Sequence, residues 1–391
     1  MSSSQLEKMI PLSAPEIAGN EWKYVKECLD TGWVSSAGPF VTRFETEVSA
    51  YVGSTNAIAV ANGTVGLHAA LRAVGVQPGD EVLVPNLTFV APVNAIVYCQ
   101  AHPVLMDVHP HSWHIDIEKV STFLAKECAP RDEGLFNKKT GRRVCAILPV
   151  HILGLACEIE EIVALARRYG LKVVEDAAEA LGVRYRGRHV GTFGDMGVLS
   201  FNGNKIVTAG GGGMIVSDND ACSDYGRYLT MQAKDDPVEY FHGEIGYNYR
   251  LSNIQAAVGV AQLERIAQFI ARKRAIAETY RAAFAECGGI TPMPNLPDVE
   301  PNYWLYTVLL HETTDLSRRQ TIIRELNARG ICARPLWHTI HDLPPYRTCQ
   351  AYCIEHSPRL YERGVSLPSS AGLDQAHLMK CIADFKQVIN G

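Results

Sequence analysis

From about Asn56 onward the chain alternates short β-branched and aliphatic runs with longer segments of helical spacing, and that alternation leaves few folds open. AIAVANG leads into a helical pattern from His68 to Val74, then EVLVP, a helix after Pro92, and PVLMDV. Parallel strands need a crossover of about this length, so the rhythm reads as repeated βαβ units. It continues through RVCAILPVH, the helical EIEEIVALARRYG, KVVEDAAEA, and a strand pair in GVLSF and GGMIVSD. The expectation is an α/β fold with a large, mostly parallel sheet covered by helices on both faces.

At 391 residues the chain is longer than one hydrophobic core usually serves, so two domains are expected. Residues 1–255 read as the large α/β domain, with the N-terminal segment packed on it. Residues 256–391 read as a long helix and a smaller α+β domain, reached through the Pro-rich run TPMPNLPDVEPN and the strand YWLYTVLL. PRDEGLFNKKTGRR, residues 130–143, is polar and rich in turn formers, and is expected as an exposed insertion.

A formal charge of −5 without blocks of like sign argues against nucleic acid or an anionic membrane as partner, and favours a small-molecule substrate. No segment approaches eighteen uninterrupted apolar residues, so no membrane span is expected. Eleven scattered cysteines without a Cys-x-x-Cys pair suggest neither a disulfide framework nor a zinc finger, which points to a reducing cytoplasm. The histidines of HPHSWH, His109 to His114, lack the spacing of a zinc ligand set, and no metal is expected.

Four segments carry chemistry. Asp176 in EDAAEALG follows the apolar strand LKVV. Ligands of open parallel sheets sit beyond the carboxyl ends of strands, and an aspartate there can hold a protonated pyridine nitrogen; the plainer alternative is a helix cap. Lys205 in SFNGNK lies on a loop between apolar strands, where an amine that loses its proton can form an imine with an aldehyde. Ser200 offers a hydroxyl to a phosphate, and Gly210 to Gly213 allow close backbone approach. In ANGTVGLHAAL a strand ends where a helix begins, so its amides with Gly63 and Thr64 can bind phosphate; a Thr-capped helix explains the segment equally well. Phe89 in VPNLTFVA can lie against an aromatic ring or pack in the core.

Together with GWVSSAGPFVTRFE, FGDMGVLSFNGNK, GYNYRLSNIQAAVG and the late PLWH…PPY segment, these blocks resemble the sugar aminotransferases of the DegT/DnrJ/EryC1/StrS group. The resemblance runs from about Ile10 to about Gly372 and implies an aspartate-aminotransferase-like fold with pyridoxal 5′-phosphate as cofactor. It implies that Lys205 carries the cofactor as a Schiff base and moves the proton. Asp176 would pair with the ring nitrogen, Phe89 would stack on the ring, and Gly63, Thr64 and Ser200 would hold the phosphate. Asn248 resembles the asparagine that reaches the phosphate of a neighbouring subunit, which implies a homodimer with shared sites. Glu179 departs from the His or Gln of many members near the 3-oxygen of the ring, where a carboxylate must be protonated or turned away.

The resemblance implies transfer of an amino group from an amino acid, usually glutamate, to a nucleotide-linked keto-sugar. GGGG and the NKKTGRR insertion are most similar to the subgroup acting on UDP-linked 4-keto-6-deoxy-N-acetylhexosamines in bacillosamine and legionaminic acid pathways. Arg250 is a candidate for anionic substrate groups, and Trp33, Tyr247 and His338 for the sugar side. The competing readings are a pyridoxamine-phosphate-dependent sugar dehydratase, against which Lys205 speaks, and a cofactor-binding regulator, for which no recognition helix is apparent.

Overall fold

The structure is a computed structural model that describes residues 9–236 and 238–390. Its centre is a ten-stranded sheet. In chain order its first strands are β1 (Asn56–Val60), β2 (Glu81–Pro85), β3 (His102–Met106), β4 (Cys128–Arg131), β5 (Gly134–Asn137), β6 (Arg143–Ile147) and β7 (Lys172–Asp176). Across the sheet the order is β1, Gly213–Ser217, Met196–Ser200, β7, β6, β2, β3 and Gln350–Tyr352. Every pairing from Met196–Ser200 through to Gln350–Tyr352 is parallel. Gly213–Ser217 runs antiparallel to both its neighbours.

The runs EVLVP, MGVLS and GMIVS are buried at every position, as a sheet covered on both faces requires. The covering helices show the complementary pattern. Ile159–Arg168 buries Ile159, Ile162, Val163 and Ala166, with Glu160 and Glu161 in its first turn and Arg167 and Arg168 in its last, as the helix dipole favours. Gly197 admits no side chain, because a Cβ there would lie 2.0 Å from the Gly191 carbonyl oxygen.

The insertion is more ordered than its composition suggests. β4 and β5 form a hairpin that extends the large sheet beside β6, burying Leu135 and Asn137. Asn137 Nδ2 donates to Glu81 at 2.7 Å and to Gln350 at 2.8 Å. Polar turn residues dominate the segment's composition, while two inward positions of alternating strand determine its fold.

The helices Asn253–Leu263 and Ile266–Phe284 lead to a second, four-stranded sheet of Ile290–Thr291, Tyr306–Leu310, Gly364–Leu367 and Arg334–Pro335. The first of these helices opens with a capping box of Ser252 and Gln255. The N-terminal segment ties several parts together: Ile10 bridges to Ile331, Ser13 Oγ donates to the Asn204 carbonyl, and the Ala14 amide donates to Ser370 Oγ. Among the described residues no helix is long and apolar enough to cross a membrane.

Lys273, on the long helix Ile266–Phe284, is 2% exposed and has no acidic partner among the described residues. Its Nζ donates to the carbonyls of Trp304 at 2.9 Å and Ser369 at 2.7 Å. Burial pushes its ammonium from 10.5 down to about 7. Between those values the unfolded chain binds a proton that the folded chain does not, so stability rises with pH. The penalty is fully present below about 7 and is relieved toward 10.5. The unfolding free energy of the native chain from denaturant titration is therefore predicted to rise between these pH values relative to Lys273→Met, by an amount bounded at about 5 kcal/mol. Parallel stability curves for the two proteins refute this.

Candidate active site

The carboxyl ends of the parallel strands open into a cavity of about 330 Å³. Gly63, Thr64, Phe89, Asp176, Glu179, Ser200 and Lys205 all line it, so seven of the residues singled out in sequence converge on one space.

Asp176 is the last residue of β7 and is 5% exposed. Residues 177–180 form a turn rather than a helix, so the aspartate is not a helix cap. Its Oδ1 accepts the Ala178 amide at 3.0 Å. Burial raises its carboxyl above the usual range, against the lowering effect of that amide and of the Lys205 charge. Among the described residues no cation lies within ion-pair distance of this carboxylate, which leaves it ready to take one.

Lys205 follows the strand Met196–Ser200, on a turn closed by its own amide to the Asn202 carbonyl at 2.9 Å. Its Nζ lies 3.5 Å from Glu179 Oε1 and 3.8 Å from the centre of the Trp304 ring. Glu179 is 7% exposed, and its Oε2 accepts the Leu153 amide at 2.7 Å. Burial raises the Glu179 carboxyl to about 7, with the neighbouring Lys205 charge and the Leu153 amide acting in the opposite sense.

Opposite these groups the helix Gly63–Ala73 begins. Asn62 caps it by accepting the Val65 amide, so Thr64 is not the cap and its hydroxyl is not committed to that bond. A Cβ on Gly63 would approach Ser200 Cβ to 3.2 Å, so glycine keeps the helix start close to the serine. Phe89 is 53% exposed while lining the cavity, which excludes the core alternative for this ring.

These features fit pyridoxal phosphate. A helix N-terminus flanked by the Thr64 and Ser200 hydroxyls suits a phosphate, Phe89 offers an aromatic face, and Asp176 offers an uncompensated carboxylate to a ring N–H. The hydroxyl of Thr88, a cavity-lining residue, is buried without a hydrogen-bond partner, as is expected where a polar ligand completes the site.

The other sequence candidates stand elsewhere. Asn248 is exposed, and it bridges to Met231. Tyr247 stacks on Tyr249 at 4.7 Å and packs against His68. Arg250 is held by Glu45 at 2.7 Å and by the Ala59 carbonyl at 3.2 Å. Trp33 is 53% exposed, and His338 packs on Tyr361. None of the five lines the cavity within this chain. Sequence reasoning missed Thr88, Trp304 and Trp337, which do line it. Trp304 lies just before the strand Tyr306–Leu310 in an apolar run that reads only as strand, so the sequence carries no signal for it.

The sequence pattern of the DegT/DnrJ/EryC1/StrS aminotransferase family matches residues 15–386. The chain is 40% identical over 381 residues to a protein of Caulobacter vibrioides named GDP-perosamine synthase, covering 97% of this chain and 98% of that one. A protein of Vibrio cholerae with the same name is 38% identical, covering 96% and 99%. Among solved structures, the aminotransferase TlmJ from Streptoalloteichus hindustanus superposes with a TM-score of 0.87 at 27% identity, covering 98% of this chain and 99% of that one.

Asn302 joins the parts of the site. It is fully buried, its Nδ2 donates to the carbonyls of Glu179 at 3.1 Å and Leu181 at 2.9 Å, and its Oδ1 accepts the Trp304 amide at 2.8 Å. Asn302→Ala leaves three buried backbone groups unpartnered. It is predicted to lower stability by about 2–4 kcal/mol and to weaken cofactor retention. A change in urea-unfolding stability below about 0.5 kcal/mol contradicts this.

Proposed function

The chain belongs to the DegT/DnrJ/EryC1/StrS aminotransferase family, and on that premise we propose that it transfers an amino group from an amino acid, L-glutamate, to a GDP-linked keto-sugar. The reaction class is that of a pyridoxal-phosphate-dependent sugar aminotransferase. The observation that carries the reading is the meeting in one cavity of an amine at Lys205, a buried carboxylate at Asp176 and the helix start at Gly63.

Bound pyridoxal phosphate supplies an electrophilic carbon and a ring that accepts the electron pair released at the substrate carbon. Lys205 provides the amine that anchors it, and then moves a proton to and from the substrate carbon. Asp176 keeps the proton on the ring nitrogen, a task suited to a buried carboxylate with no cation of its own. Gly63, Thr64 and Ser200 bind the phosphate through amides and hydroxyls, and Phe89 fixes the plane of the ring. The donor leaves as its keto acid before the sugar binds, so ping-pong kinetics follow.

The relatives at 38–40% identity, both named GDP-perosamine synthase, support a GDP-linked acceptor over the UDP-linked N-acetylhexosamine that the insertion and glycine run suggest. On this reading the protein is a homodimer, and the exposed Asn248 reaches the phosphate bound by the partner subunit.

Lys205→Ala is predicted to abolish turnover and the borohydride-trapped adduct with the fold unchanged, while Asp176→Asn lowers turnover at least about 100-fold. Near-native turnover in either variant rules out the assigned role. With glutamate and a panel of GDP-, UDP- and TDP-linked keto-sugars, mass spectrometry is predicted to show ketone-to-amine conversion of a GDP-linked member. Conversion confined to the UDP-linked N-acetylhexosamines replaces the acceptor, and conversion of none overturns the sugar class.

A further inference from the structure

Glu179 is the cavity group whose chemistry the transfer reaction leaves unassigned. Its two oxygens have separate tasks. Oε2 accepts the amide of Leu153, a residue held at φ +59 in the left-handed region, and this bond fixes the carboxyl in place. Oε1 makes no such backbone bond and faces Lys205 Nζ at 3.5 Å, while the Trp304 ring covers the same nitrogen. A side chain needed only to accept the Leu153 amide requires one carbonyl oxygen and no ionisable group.

We infer that Glu179 is the proton-exchange partner of Lys205, taking the ammonium proton onto Oε1 when the lysine must act as a free amine and returning it afterwards. The inference rests on Lys205 being the reactive amine of the proposed function. The step balances within the pair. An N–H bond at Nζ breaks and an O–H bond at Oε1 forms, so ammonium and carboxylate become amine and carboxylic acid, with no other species consumed. The present separation is at the outer limit of a hydrogen bond, so transfer requires a side-chain rotation that brings the atoms within about 3 Å.

Several features favour such an exchange here. Both groups are largely buried, so the proton passes between them shielded from bulk water. The groups facing Glu179 are the Lys205 ammonium from the turn after Met196–Ser200, the Leu153 amide from the short helix Ile152–Gly154, and the Asp176 carboxylate at the end of β7. Burial and Asp176 raise its carboxyl, Lys205 and the amide lower it, and the balance at about 7 leaves both protonation states accessible near neutral pH. A general base is most effective when poised in this way.

The test uses the full-length apoprotein and isosteric Glu179→Gln, which retains an acceptor for the Leu153 amide. Infrared difference spectra recorded against pH are expected to show a protonated-carboxyl band with a midpoint near 7. That band is absent in Glu179→Gln, and its midpoint moves upward in Lys205→Ala, where the neighbouring cation is gone. Capture of pyridoxal phosphate by Lys205, followed by borohydride trapping, is expected to slow on the order of 100-fold in Glu179→Gln at neutral pH. A carboxyl band insensitive to Lys205→Ala, or unchanged capture in Glu179→Gln, overturns the inference. Absence of a trapped adduct at Lys205 in the native protein instead overturns the proposed function, and the infrared titration separates the two failures.

Discussion

Adjacent residues of a strand face opposite sides of its sheet, and in β7 that rule divides two neighbouring carboxylates between opposite tasks. Glu175 points away from the cavity, is fully buried, and is saturated: it accepts His151 Nε2 at 2.9 Å and the amides of Gly191, Phe193 and Gly194, each at 2.7 Å. Burial alone would raise its carboxyl, yet these donors outweigh that effect and hold it below the usual range. Asp176 points the other way, with one amide donor from its own turn. The saturated carboxylate clamps the 191–194 loop against the sheet, so its neighbour can remain electrostatically incomplete without loosening the strand. A buried charge that lacks a close cation persists only where the surrounding fold is over-determined.

The same division of labour recurs beyond the sheet. Asn302 and Trp304 sit just before the strand Tyr306–Leu310, and between them they hold the Glu179 loop by its carbonyls and cover the Lys205 amine. The Trp304 indole donates to the Asn204 carbonyl at 2.7 Å, and Lys273 fixes the Trp304 backbone from the long helix. The Lys205 turn is therefore held from both sides by the chain that leads into the second sheet. A shift of that segment moves the wall over Lys205 and the loop carrying Glu179 together.

Much of this was legible in sequence because it depends on short-range pattern. The alternation of fully apolar strands with amphipathic helices gave the parallel sheet, position at a strand end marked Asp176 as a candidate beside a plain helix cap, and the roles of Asp176 and Lys205 came from the resemblance of the surrounding blocks to a known family. Insertion 130–143 is exposed as its composition indicates, but its hairpin was not legible because two buried positions, Leu135 and Asn137, are too few to set a period against many polar neighbours. Trp304 and Trp337 escaped because an aromatic that walls a cavity looks in sequence like one that fills a core. The protonation balance of Glu179 was not legible either. It depends on burial and on Lys205, 26 residues away in the chain, with no local signature.

The charges lining the cavity constrain how an anionic ligand is held there. They are Asp176, Glu179 and Lys205, two acids against one base. Once Asp176 is matched by a ring N–H and Lys205 is committed to the cofactor, no side-chain cation among the described residues remains in the cavity to neutralise a phosphate. The phosphate must then rely on amides at the start of the helix Gly63–Ala73 and on hydroxyls, which supply partial positive charge without a titrating group. A sugar carried on a nucleoside diphosphate brings further negative charge that this wall cannot match. Its cationic partners are not among the described residues that line this cavity. On the proposed homodimeric reading, the neighbouring subunit is the source that also places Asn248 near the phosphate.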